Sequence, residues 1–213
     1  FQDRVEAKYG KAKSQHSEYR HVGVDYKIAA DGRKLTMKQT KFVEALSFVE
    51  IPKERKKQQE EDCTPEEQSQ FRSSVGGSAW TAKTRPDKAG RTRELQCAFA
   101  KAQVKHLVQA NTLVKELKAT AEYGLHYYAL PAGPFRIVVI SDAAKGEAKA
   151  SQKPVIGYFV LLMADGQILD GPANILDFLA KSSPRVSKSS LHSESIAAVT
   201  AVERAIRIAG FLE

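Results

Sequence analysis

Two acidic residues occupy positions where carboxylates could support hydrolysis. Asp142 follows the apolar, β-branched run Phe135 to Ile140, and Glu194 opens an amphipathic helical pattern. If that helix packs across the strand, the carboxylates meet, and a divalent cation relieves the repulsion between adjacent carboxylates. Such a pair can hold Mg²⁺ for phosphodiester cleavage, where the metal activates a water and stabilises the leaving oxygen. The ordinary alternatives are that Asp142 caps a loop and that Glu194 complements the helix dipole from the first turn.

Three strands and a helix would position these two side chains. The first strand is predicted over Phe135 to Ile140 and ends at Ser141-Asp142. The second is predicted over Val155 to Met163, and Asp165-Gly166 predicts a turn into a third near Gln167 to Leu169.

The final helix is predicted from Ser190 onward, because apolar residues recur there every three or four positions. The turn-rich segment Pro131 to Pro134 places a domain boundary near residues 129 to 134.

The preceding half of the chain predicts a hairpin and several helices. A hairpin is expected from Glu18 to Met37 around Asp31-Gly32, followed by a helix over Lys38 to Val49. Thr64, Pro65 and Glu67 form a helix-start signal, since Thr64 can cap the helix and Glu67 can reach back to its amide.

A second, longer helical stretch is predicted from about Lys88 to Ala119. Its basic face carries Lys101, Lys105, Lys115 and Lys118. Between Pro52 and Asp62 the run KERKKQQEED has almost no apolar side chain, which predicts a solvated linker.

The composition favours a nucleic-acid partner and offers no membrane anchor. The chain has 33 Lys and Arg against 25 Asp and Glu, a net charge of +8. Cys63 and Cys97 lack the spacing of a zinc site or a disulfide framework, which favours an intracellular setting, cytoplasmic or nuclear. No apolar run approaches the roughly 18 residues of a membrane span. The chain begins at Phe1 rather than Met, which suggests a gene that starts upstream.

Several motifs follow one another along nearly the whole chain. Phe71 to Tyr127 contains FRSSVGGSAWTAKTRPDKAG and QVKHLVQANTLVKELKATAEYGLHY, and GVDYKIAADGRKLTMKQTKFVEAL stands upstream. Downstream follow the Ser141-Asp142-Ala143 triplet, VIGYFVLL and SLHSESIAAVTAVERAI. In this order they resemble the end of the reverse transcriptase, the connecting region and the start of the ribonuclease H domain in copia-type retrotransposon Pol polyproteins.

The resemblance implies a function for the two acidic residues. Asp142 aligns with the family's first catalytic, metal-binding carboxylate and Glu194 with its second, so Mg²⁺ is the expected cofactor. The parent protein would copy RNA into DNA and degrade the RNA of the hybrid. The expected partners are an RNA–DNA hybrid or other nucleic acid and the remainder of the polyprotein, with no membrane.

The chain also departs from the family pattern. The YxDD polymerase motif is absent, and no third or fourth ribonuclease H carboxylate follows before Glu213. Lys145 and Gly146 stand where the family reads W-A. The fragment alone is therefore expected to be inactive. The alternatives are a non-catalytic nucleic-acid-binding remnant of a degenerate element, or a host protein that uses the connecting helices for interaction.

The expected fold is α+β: a helical connecting region with a β-hairpin, then a truncated ribonuclease H-like three-stranded sheet plus helix. The expected domains are the end of the reverse transcriptase at 1–50, the linker at 51–63, the connecting region at 64–130 and the truncated domain at 134–213. Its first strand would keep an open edge, which predicts an unstable or self-associating module.

Other residues are expected to have more ordinary roles. Arg185 and Lys188 precede the last helix and are candidates for gripping a nucleic-acid backbone. His192 is expected at the surface, Arg85 in a local pair with Asp87, and His106 and His126 in structural positions. Trp80 is expected in the core, and Gly76-Gly77 at a close-packing point.

Overall fold

The computed structural model describes Lys8, Gly10 and residues 17–144, 153–166, 171–183, 185–187 and 189–212. These residues form a mixed α and β structure with six α-helices and two antiparallel sheets, which confirms the predicted α+β class. None of the helices among them is long and apolar enough to cross a membrane.

The first sheet has four strands in the order β1-β2-β3-β4. They are β1 (Glu18–His21), β2 (Val24–Ile28), β3 (Lys34–Lys38) and β4 (Gly124–Tyr128). The predicted hairpin is confirmed between β2 and β3, where Gly32 takes a φ of +70° that glycine adopts without strain. β4 completes the sheet from a distant part of the sequence.

Five helices lie between β3 and β4. They are α1 (Thr40–Glu44), α2 (Lys53–Lys57), α3 (Pro65–Thr81), α4 (Ala89–Cys97) and α5 (Val104–Ala119). The start of α3 is as predicted, because Thr64 Oγ1 accepts from the Glu67 amide and Glu67 Oε2 accepts from the Thr64 amide. Apolar side chains of α3, α4 and α5 form the larger core, among them Phe71, Val75, Leu95, Leu107 and Leu117.

Two predictions for this half were wrong in part. The stretch Lys88 to Ala119 is two helices, because the backbone at their junction bonds elsewhere: Ala102 O accepts from the Cys63 amide, and the Val104 amide donates to Glu61 O. The predicted linker contains α2 and is tied down by Arg55, which donates to both carboxylate oxygens of Glu67.

The second sheet has the order β5-β6-β7, with β5 (Phe135–Ala144), β6 (Val155–Ala164) and β7 (Ala173–Ser182). It is followed by α6 (Ser190–Leu212), which packs on β5 and, to a smaller extent, on β6. β6 and the start of α6 agree with the sequence prediction. The predicted third strand near residues 167–169 lies outside the described residues, and the third strand of the sheet in the structure is β7, which follows it in the sequence.

The segment 129–134 runs between the two sheets, and side chains join them across it. Asn174 of β7 accepts from the Tyr128 amide at 2.8 Å and donates to the Tyr128 carbonyl at 2.9 Å. Arg93 of α4 donates to Ser182 Oγ at 2.9 Å. β7 therefore lies against both β4 and α4.

Candidate functional site

Asp142 lies inside β5 rather than at its end. The strand continues to Ala144, and Asp142 is opposite Gly157 of β6 in an uninterrupted register. Its side chain is exposed. The sequence placed the strand end too early, because Ala143 and Ala144 carry little strand propensity and are held by pairing with β6.

Alternation along β5 decides which way Asp142 points. Ile137 and Val139 pack with Ala201 and Ala205 of α6, so the odd-numbered side chains face that helix. Successive side chains of a strand point to opposite faces of the sheet, so the Asp142 side chain lies on the face away from α6.

Glu194 is the fifth residue of α6 and is half-buried. The sequence predicts Glu194 in the first turn of the helix, whereas the structure places it just beyond that turn. The helix that carries Glu194 covers the face of the sheet opposite to Asp142. The structure does not bring the two predicted carboxylates onto one face. No group of three or more His, Cys, Asp or Glu side chains suited to a metal occurs in the described part of the chain. The metal-binding roles of Asp142 and Glu194 stay predictions.

A small pocket of about 260 Å³ lies beside Asp142. Pro86, Ala89 and Gly90 of the helical half line one side of it, and Phe159 and Phe178 line the sheet side. The pocket is therefore largely apolar around one exposed carboxylate.

Serines next to Glu194 serve to start α6. Ser189 Oγ accepts from the His192 amide at 3.1 Å, as a helix cap does. Buried Ser193 donates to Ser187 Oγ at 2.8 Å. Their hydroxyls are engaged within the turn, and His192 is exposed, as predicted.

Arg185 is exposed, and its amide donates to Ser183 Oγ. The second predicted backbone-gripping residue, Lys188, lies outside the described residues, as do Lys145 and Gly146. The structure therefore places only Arg185 of these residues, on the chain that leads into α6.

A larger groove of about 720 Å³ lies in the helical half, and sequence reasoning missed it. One wall is the segment that follows α1, with Phe48 half exposed, and the other is the side of α5. Asn111 joins the walls, since it accepts from the Val49 amide at 2.8 Å and donates to the Val49 carbonyl at 2.7 Å. The predicted helix over Lys38 to Val49 ends at Glu44, and this early end leaves Phe48 at the surface.

The groove carries positive charge. Lys56 of α2 and Lys115 of α5 line it and are exposed. Lys118 donates to Glu44 O, with its ammonium 5.6 Å from the centre of the Phe48 ring. Glu50 is the acidic residue in the lining.

The basic face predicted for the stretch Lys88 to Ala119 is divided by ion pairs. Lys101 pairs with Asp62 at 3.0 Å and Lys105 with Glu60 at 2.8 Å, so the N-terminal half of this face is largely neutralised. Among the described residues, Lys115 and Lys118 make no ion pair, so the unpaired positive charge of this face lies beside the groove.

No protein-family model and no curated protein sequence matches this chain.

The remaining predictions concern structural residues. Arg85 is buried and donates to both carboxylate oxygens of Asp87 at 2.8 Å, which confirms the predicted local pair. His106 Nδ1 accepts from the Gln103 amide at 2.9 Å, and burial lowers the pKa of its imidazole. Trp80 is half-buried rather than a full core residue, with the Lys83 ammonium 3.6 Å from its ring centre.

Of the two adjacent glycines, Gly76 and Gly77, only one is closely packed. An added Cβ at Gly77 would lie 2.9 Å from Leu46 Cδ2, whereas one at Gly76 would meet nothing within 4 Å. The predicted close packing is therefore confirmed at Gly77 alone.

Proposed function

We propose that this chain is a segment of a copia-type retroelement polyprotein, comprising the end of the reverse transcriptase, the connecting region and the first part of a ribonuclease H-like domain. The motif order described above supports this assignment. So does the arrangement of β5, β6 and β7, three antiparallel strands in sequence order followed by a helix across the first two. That is the arrangement the resemblance implies for the first half of the nuclease.

The function proposed for the segment itself is to hold nucleic acid without cutting it. The observation that carries this proposal is the groove with its two exposed cations, Lys56 and Lys115, beside the exposed ring of Phe48. Lysines attract phosphates and aromatic rings stack on unpaired bases, which together make up a single-strand binding surface. The remainder of the polyprotein is the proposed protein partner.

Hydrolysis is not assigned to the segment in this conformation. A shared Mg²⁺ needs Asp142 and Glu194 on a common face, whereas alternation along β5 directs Asp142 away from α6. The same observation favours the second candidate, a non-catalytic remnant of a degenerate element. The flanking coding sequence separates the two: an in-frame YxDD upstream and further acidic residues downstream support the polyprotein, and stop codons support the remnant.

The binding proposal is tested by fluorescence anisotropy with labelled single-stranded RNA and an RNA–DNA hybrid over a series of salt concentrations. K56A/K115A should weaken binding and reduce the slope of log affinity against log salt by about 0.7 per lost phosphate contact on a single strand. K57A is the matched control, because Lys57 lies on the same helix, pairs with Glu54 and does not line the groove. Equal binding by K56A/K115A and wild type would overturn the assignment to the groove.

The absence of hydrolysis is tested by incubating the chain with a labelled hybrid in Mg²⁺ or Mn²⁺. The wild type and D142N should both leave the RNA strand intact. Cleavage by the wild type that is lost in D142N and in E194Q would refute the non-hydrolytic assignment and restore the two-carboxylate site.

A further inference from the structure

One edge of the second sheet is open in the described part of the chain. β5 pairs with β6 along its whole length, and no strand among the described residues pairs with its other side. The Asp165 amide donates to Pro134 O, so residues 134 and 165 form a hydrogen-bonded pair. Such pairs alternate with non-bonded pairs along an antiparallel ladder, so the even-numbered residues of β5 direct their amides and carbonyls to β6. The odd-numbered residues of β5, from Phe135 to Ala143, therefore direct their backbone groups to the open edge.

The edge has few of the features that normally prevent strands from pairing. β5 is ten residues long and contains no proline and no lysine. Its charged residues are Arg136 and Asp142, three positions on either side of Val139. Phe135 and Ile140 are about half exposed.

An apolar flank of α6 lies beside this edge. Arg204 donates to Asp177 of β7 at 2.6 Å, so that side of the helix lies toward β7. Val202 and Ile206 are each two positions from Arg204 along the helix. Two positions correspond to a rotation of about 200°, so these two side chains lie on the opposite side of α6, toward β5. They are 47% and 66% exposed.

We propose that a second copy of this chain docks on the open edge, with the two β5 strands antiparallel and Val139 on the two-fold axis. The inference does not depend on the proposed function. In this register the odd-numbered residues of the two β5 strands bond each other across the axis. These are the residues whose amides and carbonyls point to the open edge. Arg136 then stands opposite the second copy's Asp142, and this happens twice because of the symmetry. A shift of two residues either way keeps the backbone bonds but removes both opposite-charge pairs, so charge complementarity selects the register.

The side chains of the two faces also fit this arrangement. On the face away from α6, the pocket beside Asp142 is lined by small and apolar residues that suit the stem of an incoming arginine.

On the other face, α6 and its copy would lie side by side over a continuous six-stranded sheet. Because α6 packs mainly on β5 and in part on β6, its axis would lie on the order of 5 Å from the two-fold, given the strand spacing of about 4.8 Å. The two helices would then be about 10 Å apart, a distance at which helices pack, with Val202 and Ile206 between them.

The test is sedimentation velocity of the full chain over a concentration series. The wild type should reach twice the monomer mass of 23.5 kDa. R136D and D142R should each weaken the dimer about tenfold or more, because each places two like-charge pairs across the axis, whereas R136D/D142R should restore it. E44R is the control for a surface charge reversal, since Glu44 lies on α1 in the other half of the chain.

A second variant probes the backbone. V139P removes an amide that points to the open edge and none that bonds to β6, so it should abolish dimerisation and leave the circular dichroism spectrum unchanged. If V139P does not fold, the proposal is tested by R136D, D142R and R136D/D142R alone. A wild type that stays monomeric at every concentration, or a dimer that resists both V139P and D142R, would overturn the proposal.

Cross-linking tests the register directly. In a C63S/C97S background, V139C should form a disulfide-linked dimer, because residue 139 faces itself with Cα atoms about 5.5 Å apart. R136C is the matched control, since the two copies of residue 136 would be roughly 20 Å apart. Cross-linking of R136C in place of V139C would reject the register.

Discussion

Replacing Arg85 with Met tests how the helical half of the chain is held together. The guanidinium is 2% exposed and makes four hydrogen bonds, two to the Asp87 carboxylate and two to Thr120, through its carbonyl and its hydroxyl. Asp87 lies in the turn before α4 and Thr120 ends α5. One side chain therefore joins two elements that are distant in sequence.

The expected loss of stability follows from these partners. Removing one member of a fully buried ion pair costs about 3–5 kcal/mol, because the remaining charge stays buried without a partner. Asp87 is half exposed and water can solvate it after the change, so its share of that penalty is smaller. The Thr120 carbonyl also loses its donor. We expect R85M to lower the free energy of unfolding by about 3 kcal/mol.

Urea denaturation followed by circular dichroism measures this change. R85K is expected to recover only part of the loss, because an ammonium cannot donate to both Asp87 oxygens and Thr120 in the same planar geometry. R91A is the surface control: Arg91 pairs with Glu116 but is 39% exposed, so its removal should cost less than about 1 kcal/mol. A loss below about 1 kcal/mol for R85M, or equal losses for R85M and R91A, would refute the reasoning.

Two further predictions use glycine and histidine. G124A should destabilise the fold severely, since its Cβ would collide with the Met37 carbonyl oxygen, whereas G76A in α3 should stabilise it by about 0.5–1 kcal/mol in the same urea assay. Burial lowers the pKa of His106, so its contribution to stability is present above the unfolded pKa of about 6.5 and is lost as pH falls below it. H106Q keeps an acceptor for the Gln103 amide without titrating there, and should lose less stability than wild type between pH 7.5 and about 5; an equal loss in both would contradict this role.

Local sequence was sufficient where the deciding contacts are close along the chain. Thr64 and Glu67 bond each other's amides across three residues, and the turn at Asp31-Gly32 needs only a residue that accepts positive φ. The apolar run Val155 to Met163 favours a strand without knowledge of its neighbours, and β6 occupies it with one further residue. The pair of Arg85 with Asp87 was predicted for the same reason, since the two residues are two positions apart.

Distant contacts decided what sequence reasoning missed. α4 and α5 separate because residues 102 and 104 bond to the backbone at 61 and 63, and the groove beside Phe48 exists because Asn111 bonds to Val49. The pattern of residues within one segment cannot reveal these contacts, because each contact joins segments that are distant in the sequence.

The sequence by itself determined where α3, β5, β6 and α6 begin and where the first hairpin turns, because capping, turn geometry and apolar periodicity act over a few residues. Only the tertiary structure decided which face of the second sheet Asp142 occupies. That face depends on the register of β5 with β6 and on which set of alternating side chains α6 covers. A shift of one residue in the covered set would reverse it, because successive side chains of a strand point to opposite faces of the sheet.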